Sequence, residues 1–126
     1  QGQSFWPVLN DAEAKGRTAF IYSYFWESSF PQTPTVIGVR TDQYKLMRFH
    51  GVYGQDELYD IQADPDEMNN LIGDFYTRTE GGNVDARMRP KGNAPKELQA
   101  TYWELRKLWD TETQRIGLTI NPEWAQ

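Results

Sequence analysis

The chain has 126 residues, enough for one domain with its own hydrophobic core and too few for two domains of ordinary size. Its net charge is −5 without a dense basic cluster, so a nucleic-acid backbone is not an expected partner. No apolar run approaches the roughly 20 residues that a membrane span requires, so no membrane partner is expected either. With no Cys and one His, the chain has no residues for a disulfide, a thiolate or a His-rich metal site.

The first residues have the pattern of a connecting segment. Ser4 is expected to cap a short turn of helix. The polar stretch over 10–17 predicts a surface connection. We therefore assign residues 1–17 to a connection and residues 18–126 to a folded domain.

Four segments have the composition of β-strands. They are rich in β-branched and aromatic residues, and turn signals such as the two prolines of loop 30–34 separate them. Consecutive strands at hairpin spacing predict an antiparallel meander. The predicted strands span residues 18–26, 35–41, 43–50 and 57–61.

A short helix is expected after the last strand. Asp64 can cap it, Pro65 suits its first position, and Glu67 can close a capping box. The pattern predicts a helix over 66–71, followed by an irregular loop over 73–95.

A long helix is predicted over 96–116, ended by Gly117. Its apolar residues recur at spacings of 4, 3, 4 and 7, which place them on one face. That face needs a partner, and the sheet is available to cover it. The predicted fold class is α+β, an antiparallel sheet of about four strands packed against a long C-terminal helix. The apolar stripe consists of Leu98, Tyr102, Leu105, Trp109 and Ile116.

Several short motifs follow one another between residues 34 and 71. The chain carries R-T-D-x-Y-K at 40–45, E-L-Y-D at 57–60, D-P-x-E at 64–67 and N-L at 70–71. This order closely resembles the C-terminal subdomain of the type I (formylglycine-dependent) sulfatases, or arylsulfatases. The opening G-x-S-x-x-P-x-L resembles the segment that leaves the catalytic domain in that family. The resemblance covers residues 2 to about 72.

The resemblance implies that the catalytic chemistry belongs to a domain outside this chain. In the family, a formylglycine made from the Cys or Ser of a [CS]-x-P-x-R motif acts together with a divalent metal, calcium. None of the serines here lies in that motif, and there is no Cys. No catalytic residue, metal ligand or cofactor is therefore expected in this chain alone.

The resemblance also implies a role and partners. The whole enzyme would be a sulfuric ester hydrolase acting on a sulfated small molecule or glycan, in the periplasm or outside the cell. This chain would complete the substrate pocket and brace its own catalytic domain through the exposed side of the sheet. The start at Gln1 rather than Met favours a piece of a longer protein.

Four residues are candidates for substrate contact. Trp26 and Glu27 border the 30–35 loop, in a segment that faces the catalytic pocket in similar sequences, where they could stack on a sugar or hydrogen-bond to it. Arg40 could bind a sulfate through two parallel hydrogen bonds. His50 ends a strand, from which it could reach the same rim.

Each candidate has a structural alternative. Tyr22, Tyr24 and Trp26 alternate along one strand face, and such a stripe is more often core than a ligand platform. Arg40 could instead form a surface ion pair with the nearby Asp42, as could Lys45.

The remaining polar candidates also have alternatives. A lone His such as His50 is more often a structural hydrogen-bonding residue than an acid–base catalyst. The acids between residues 57 and 67 do not match a calcium loop, and helix capping explains several of them.

Two other functions stay open at this point. A free-standing carbohydrate-binding module would need a flat exposed row drawn from Tyr22, Tyr24, Trp26, Tyr53 and Tyr76. A structural or oligomerising α+β domain would bury its apolar surface between copies.

Overall fold

A four-stranded antiparallel sheet forms the centre of the molecule, and a long helix covers one of its faces. The computed structural model describes residues 4–50, 56–73, 76–77, 89–90 and 94–118. Strands β1 to β4 pair in chain order, and β5 and β6 form a separate two-stranded ladder. The predicted α+β class is therefore confirmed. The elements are α1 (Trp6–Asn10), β1 (Ala19–Tyr24), β2 (Thr35–Thr41), β3 (Tyr44–His50), β4 (Asp56–Asp60), β5 (Tyr76–Thr77), β6 (Arg89–Pro90) and α2 (Lys96–Ile116).

Strand β2 is an inner strand that is buried on both faces. Its first five residues, over 35–39, are all buried, which suits its β-branched composition. Gly38 allows the next strand to approach closely, because a Cβ there would lie 3.0 Å from both the Leu46 carbonyl oxygen and the Met47 Cγ. A larger residue at this position would push β2 and β3 apart.

Strand β1 is shorter than the predicted 18–26. It ends at Tyr24, which pairs with Val36. The Trp26 amide donates instead to the side-chain hydroxyl of Thr35, at 2.8 Å. A side-chain acceptor thus replaces the backbone ladder at this end, and the chain leaves the sheet.

The main hydrophobic core lies between the sheet and α2. Helix α2 buries Tyr102, Leu105 and Trp109 against the sheet. Burying side chains of this size contributes about 2 kcal/mol each, so these contacts hold the helix in place. The other buried members of this core are Ala19, Ile37, Val39, Leu46, Leu58 and Ile72.

Helix α2 ends in a Schellman motif. Gly117 adopts the left-handed conformation at φ 67°, and its amide donates to the Gln114 carbonyl. The Leu118 amide donates to the Thr113 carbonyl at 2.9 Å, which satisfies another free acceptor of the last turn. Glycine is favoured at this cap because it adopts a positive φ without steric cost.

The predicted helix over 66–71 is wrong, since none of these residues is helical in the structure. Asp64 does act as a local cap, accepting hydrogen bonds from the amides of Met68 and Asn69 at 3.1 and 2.7 Å. Glu67, however, has φ 54°, in the left-handed region that stops a right-handed helix. Its side chain extends to Lys45 on β3 instead of closing a capping box. Glu67 therefore lies in a non-helical turn and forms a long-range ion pair with Lys45.

The sheet face opposite α2, here called the open face, is only partly buried. A small cluster of Val36, Met47 and Tyr59 is buried on it. On β1 the side chains of Phe20 and Tyr22 remain exposed. The open face therefore combines a buried centre with an exposed aromatic edge.

Helix α1 buries none of its own residues. The predicted cap, Ser4, lies one residue before the observed N-cap position, which Phe5 holds, and the Ser4 hydroxyl accepts from the Trp6 amide at 3.3 Å. The side chains of Phe5, Trp6 and Leu9 are exposed. The division of the chain at residues 17 and 18 stays a prediction.

The predicted 73–95 loop contains the ladder of β5 and β6, in which Tyr76 pairs with Pro90. Most of the remaining residues of that loop lie outside the described part of the chain.

Candidate functional site

Trp26 lies at the end of the sheet where β1 leaves it, with its indole half-exposed at 41%. Two hydrogen bonds fix its position, one from its amide to the Thr35 hydroxyl and one from its indole N–H to the Pro31 carbonyl at 3.2 Å. A rigid, partly exposed aromatic ring is suited to binding a flat ligand face, because little conformational freedom is left to lose.

The loop beside Trp26 folds through two successive turns. The Phe30 amide donates to the Glu27 carbonyl, and the Thr33 amide donates to the Phe30 carbonyl, both at 3.0 Å. The Glu27 side chain is exposed, and so is Phe30. We call Trp26, Glu27 and the 30–35 loop the Trp26 rim.

The structure separates the four predicted contact residues into two places. His50 pairs with Thr35 at the Trp26 end of the sheet, although its side chain lies outside what the structure describes. Arg40 pairs with Lys45 at the opposite end of the same hairpin. Five residues of strand separate Arg40 from Thr35, or about 17 Å at about 3.3 Å per residue. The expectation that His50 and Arg40 reach one rim is therefore wrong, because an antiparallel hairpin places them at opposite ends.

Lys45 binds Glu67 rather than Asp42. Its ammonium lies 2.9 and 2.6 Å from the two carboxylate oxygens of Glu67, and both side chains are largely covered. This ion pair joins the R-T-D-x-Y-K strand to the D-P-x-E turn. Arg40 itself is exposed on the open face, opposite Phe20 of β1.

A buried charge cluster on the helix side was not predicted from the sequence. Arg48 donates two hydrogen bonds to Asp56, at 2.7 and 2.8 Å, and both side chains are buried. The Tyr102 hydroxyl of α2 donates to the same carboxylate at 2.9 Å, and the guanidinium lies 5.9 Å from the Trp109 ring centroid. Burial is the main cause that raises the pKa of Tyr102, followed by the nearby Asp56 carboxylate.

This cluster joins β3, β4 and α2. Because it is buried, a substrate cannot reach it. One signal in the sequence could have revealed it. Arg48 shares its strand phase with Tyr44 and Leu46, so it had to lie on the apolar face, where a charge requires a partner. The identity of that partner could not be read from the same pattern.

The described residues hold no metal centre of their own. Among them there is no group of three or more His, Cys, Asp or Glu side chains that could bind an ion. These described residues provide no donor set that fits the calcium implied by the resemblance. In the same part of the chain, no helix is long and apolar enough to cross a bilayer.

The sheet and the covering helix define a small α+β domain. Residues 1–105 match the family described as N-sulphoglucosamine sulphohydrolase, C-terminal. The chain belongs to that family.

Similar proteins agree with this assignment. A curated N-acetylglucosamine-6-O-sulfatase of Bacteroides thetaiotaomicron is 37% identical over 76 residues, which cover 58% of this chain. A structure solved in complex with its substrate D-glucosamine-2-N,6-O-disulfate is 27% identical, with a TM-score of 0.65 over 90% of the chain. A second solved structure, also from Bacteroides thetaiotaomicron, shares the fold at 22% identity and a TM-score of 0.59 over 95% of the chain.

The chain spans only a small part of these proteins. The match covers 14% of the curated relative and 19% and 22% of the two solved chains.

Proposed function

We propose that this chain is the non-catalytic C-terminal subdomain of a sulfatase, in which it completes the substrate pocket and braces the catalytic domain. Family membership supports the proposal, and so does the lack of a [CS]-x-P-x-R motif in the chain. The observation that carries it is the Trp26 rim, a fixed and half-exposed indole at one end of a rigid sheet.

The substrate class of the whole enzyme follows from its relatives. One is named for N-acetylglucosamine 6-O-sulfate chemistry, and another was solved with a doubly sulfated glucosamine. We infer that the full enzyme hydrolyses a sulfate ester on glucosamine or on a glucosamine-containing glycan.

The Trp26 rim suits one side of such a sugar. The indole can pack against the C–H face of the ring, and the exposed Glu27 carboxylate can accept hydrogen bonds from hydroxyl groups. Neither residue provides a nucleophile for the sulfate. Their contribution is to orient the sugar and to exclude water from one side of it.

The open face is the surface that would pack against the catalytic domain. Phe20 and Tyr22 expose apolar area on it, and Phe5, Trp6 and Leu9 of the α1 segment are also uncovered. Phe20 and Tyr22 lie next to each other on one face of β1, and a contiguous exposed apolar patch is typical of an interaction surface. The catalytic domain of the same polypeptide is the proposed occupant.

Replacing Trp26 tests the pocket role. In the full enzyme, Trp26→Ala is expected to raise KM for a glucosamine sulfate about tenfold, because losing one aromatic contact with a sugar removes about 1–2 kcal/mol. The melting temperature should change little, since the side chain is already half-exposed.

Trp103→Ala is the matched control, because Trp103 is similarly exposed, at 49%, but lies on α2. It should leave KM unchanged. If Trp26→Ala left the kinetics unaltered but lowered the melting temperature strongly, Trp26 would serve only to stabilise the fold. That result would refute the proposed contact between the Trp26 rim and the substrate.

A further inference from the structure

A concavity lies far from the Trp26 rim, between α2 and the turn that joins β2 to β3. It has a volume of about 680 Å³. Its floor is formed by Tyr44, Leu105 and Leu108, which pack against the main core. Pockets for small molecules in proteins are typically about 300–1,000 Å³, so one or two sugar rings would fit here.

The walls of this cleft carry three charged side chains that have no described role in the fold. Asp42 comes from the β2–β3 turn, and Glu104 and Lys107 come from α2. All three residues are exposed. Within the described residues, none of these side chains makes an ion pair or a side-chain hydrogen bond, unlike the neighbouring Gln43, which donates to Asp60.

The chemistry of these groups suits a polyhydroxylated ligand. Each carboxylate can accept hydrogen bonds from adjacent hydroxyl groups, and the ammonium can donate up to three. The floor of Tyr44 and two leucines can pack against the C–H face of a sugar ring. Two carboxylates and one ammonium give the walls a net charge of −1, which repels a sulfate more than it attracts one.

We propose that this cleft binds an unsulfated sugar unit of the glycan, at a site separate from the Trp26 rim. The proposal rests on the proposed function, which brings a partly sulfated glycan to this protein. Asp42 follows the Arg40 end of β2, so the cleft and the Trp26 rim lie at opposite ends of the sheet. A glycan held at the cleft would stay attached through its neutral units while other units are processed.

Hydrogen–deuterium exchange on the full enzyme tests the cleft directly. The probe is di-N-acetylchitobiose, an unsulfated glucosamine disaccharide. The charged comparison is the same disaccharide carrying a 6-sulfonate, which the full enzyme cannot hydrolyse as a sulfate ester. The uncharged probe is expected to slow exchange in peptides covering residues 41–45 and 101–111. The charged probe should protect these peptides at least tenfold more weakly.

A double variant and a control make the test specific. Asp42→Ala/Glu104→Ala should weaken the apparent affinity of the unsulfated probe at least tenfold. Glu97→Ala, an exposed acid in the first turn of the same helix, should not change it. The proposal would be overturned if the unsulfated probe protected these peptides equally in the double variant and in the wild type. It would also be overturned if millimolar probe gave no protection of these peptides in the wild type.

The failure of this inference is distinguishable from that of the proposed function. The double variant should hydrolyse a sulfated monosaccharide as fast as the wild type, and unchanged exchange outside the cleft would show that it is folded. Protection of the cleft in a protein without sulfatase activity would support the binding site and refute the proposed function.

Discussion

At the scale of single residues, the buried Arg48–Asp56 ion pair is the feature of the molecule with a large desolvation cost. Both charges are removed from water, and both carboxylate oxygens are engaged by Arg48, with Tyr102 bound to one of them. A buried pair is stable only while each member retains its partner, because a lone buried charge cannot recover its solvation.

Removing one member of this ion pair should therefore lower the free energy of unfolding strongly. Asp56→Ala is expected to lower the free energy of unfolding by about 3–5 kcal/mol, since it leaves the Arg48 guanidinium buried without its carboxylate. Tyr102→Phe should cost about 1–2 kcal/mol, because it removes one hydrogen bond to a charged group. Urea denaturation measures both. Similar losses in the two variants would contradict the assignment of Asp56 as the centre of the cluster.

The pH dependence of stability at high pH should report on Tyr59. Burial and the hydrogen bond to the Glu57 carboxylate, at 2.9 Å, raise the pKa of Tyr59 to about 12. The unfolded chain releases this proton near pH 10, so between pH 10 and 12 the folded state binds more protons than the unfolded state.

Tyr59 thus makes its full contribution to stability below pH 10, and this contribution is lost as the pH rises towards 12. The loss amounts to no more than about 2–3 kcal/mol. Tyr59→Phe should show a shallower decline in unfolding free energy over this interval than the wild type. Parallel curves for the two proteins would show that Tyr59 does not titrate differently in the two states.

At the scale of elements, the turn over residues 64–70 shows how one acid can organise a segment. The Asp64 carboxylate accepts from two backbone amides, those of Met68 and Asn69. Asp66, two residues further on, is exposed. The two aspartates are separated only by Pro65, but only Asp64 has a described bonding role.

Asp64→Ala is expected to lower the free energy of unfolding by about 1–2 kcal/mol, because two backbone donors lose their acceptor. The amides of Met68 and Asn69 should also exchange faster with solvent. Asp66→Ala is the control and should change stability by less than about 0.5 kcal/mol. Equal effects of the two substitutions would refute the capping role of Asp64.

At the scale of the whole molecule, the exposed aromatic edge of the open face distinguishes a solitary domain from a subdomain. Tyr22 on this face and Trp103 on α2 are both 49% exposed, so they are matched in accessibility but lie on opposite sides of the sheet. If the catalytic domain packs against the open face, only Tyr22 is buried in the full enzyme.

Tyr22→Glu should then lower the melting temperature of the full enzyme by several degrees, since a charge buried at an interface costs about 2 kcal/mol or more. Trp103→Glu should have little effect. Differential scanning calorimetry measures both. Equal and small shifts would show that the open face stays in solvent, which would favour the free-standing domain over the subdomain.

The sequence by itself determined the order of strands β1 to β4, the long helix α2 and the family of the chain. Period-2 and period-3.6 apolar patterns are local, so strands such as β2 and the stripe of α2 could be recognised from neighbouring residues alone. The same periodicity contained the signal that Arg48 shares a face with Leu46, although the cluster around it was not predicted. The Trp26 segment is a candidate because it borders a two-proline loop, and its contact with substrate stays a prediction.

Only the tertiary structure decided which distant groups meet. The Lys45–Glu67 pair joins residues 22 positions apart, and the Tyr102–Asp56 hydrogen bond joins residues 46 apart. Glu67 carries a local helix signal, yet it has a positive φ in a turn and pairs with the sheet. The hairpin register likewise separated Arg40 from His50. Local periodicity contains no information about such partners, because each depends on how the elements pack together.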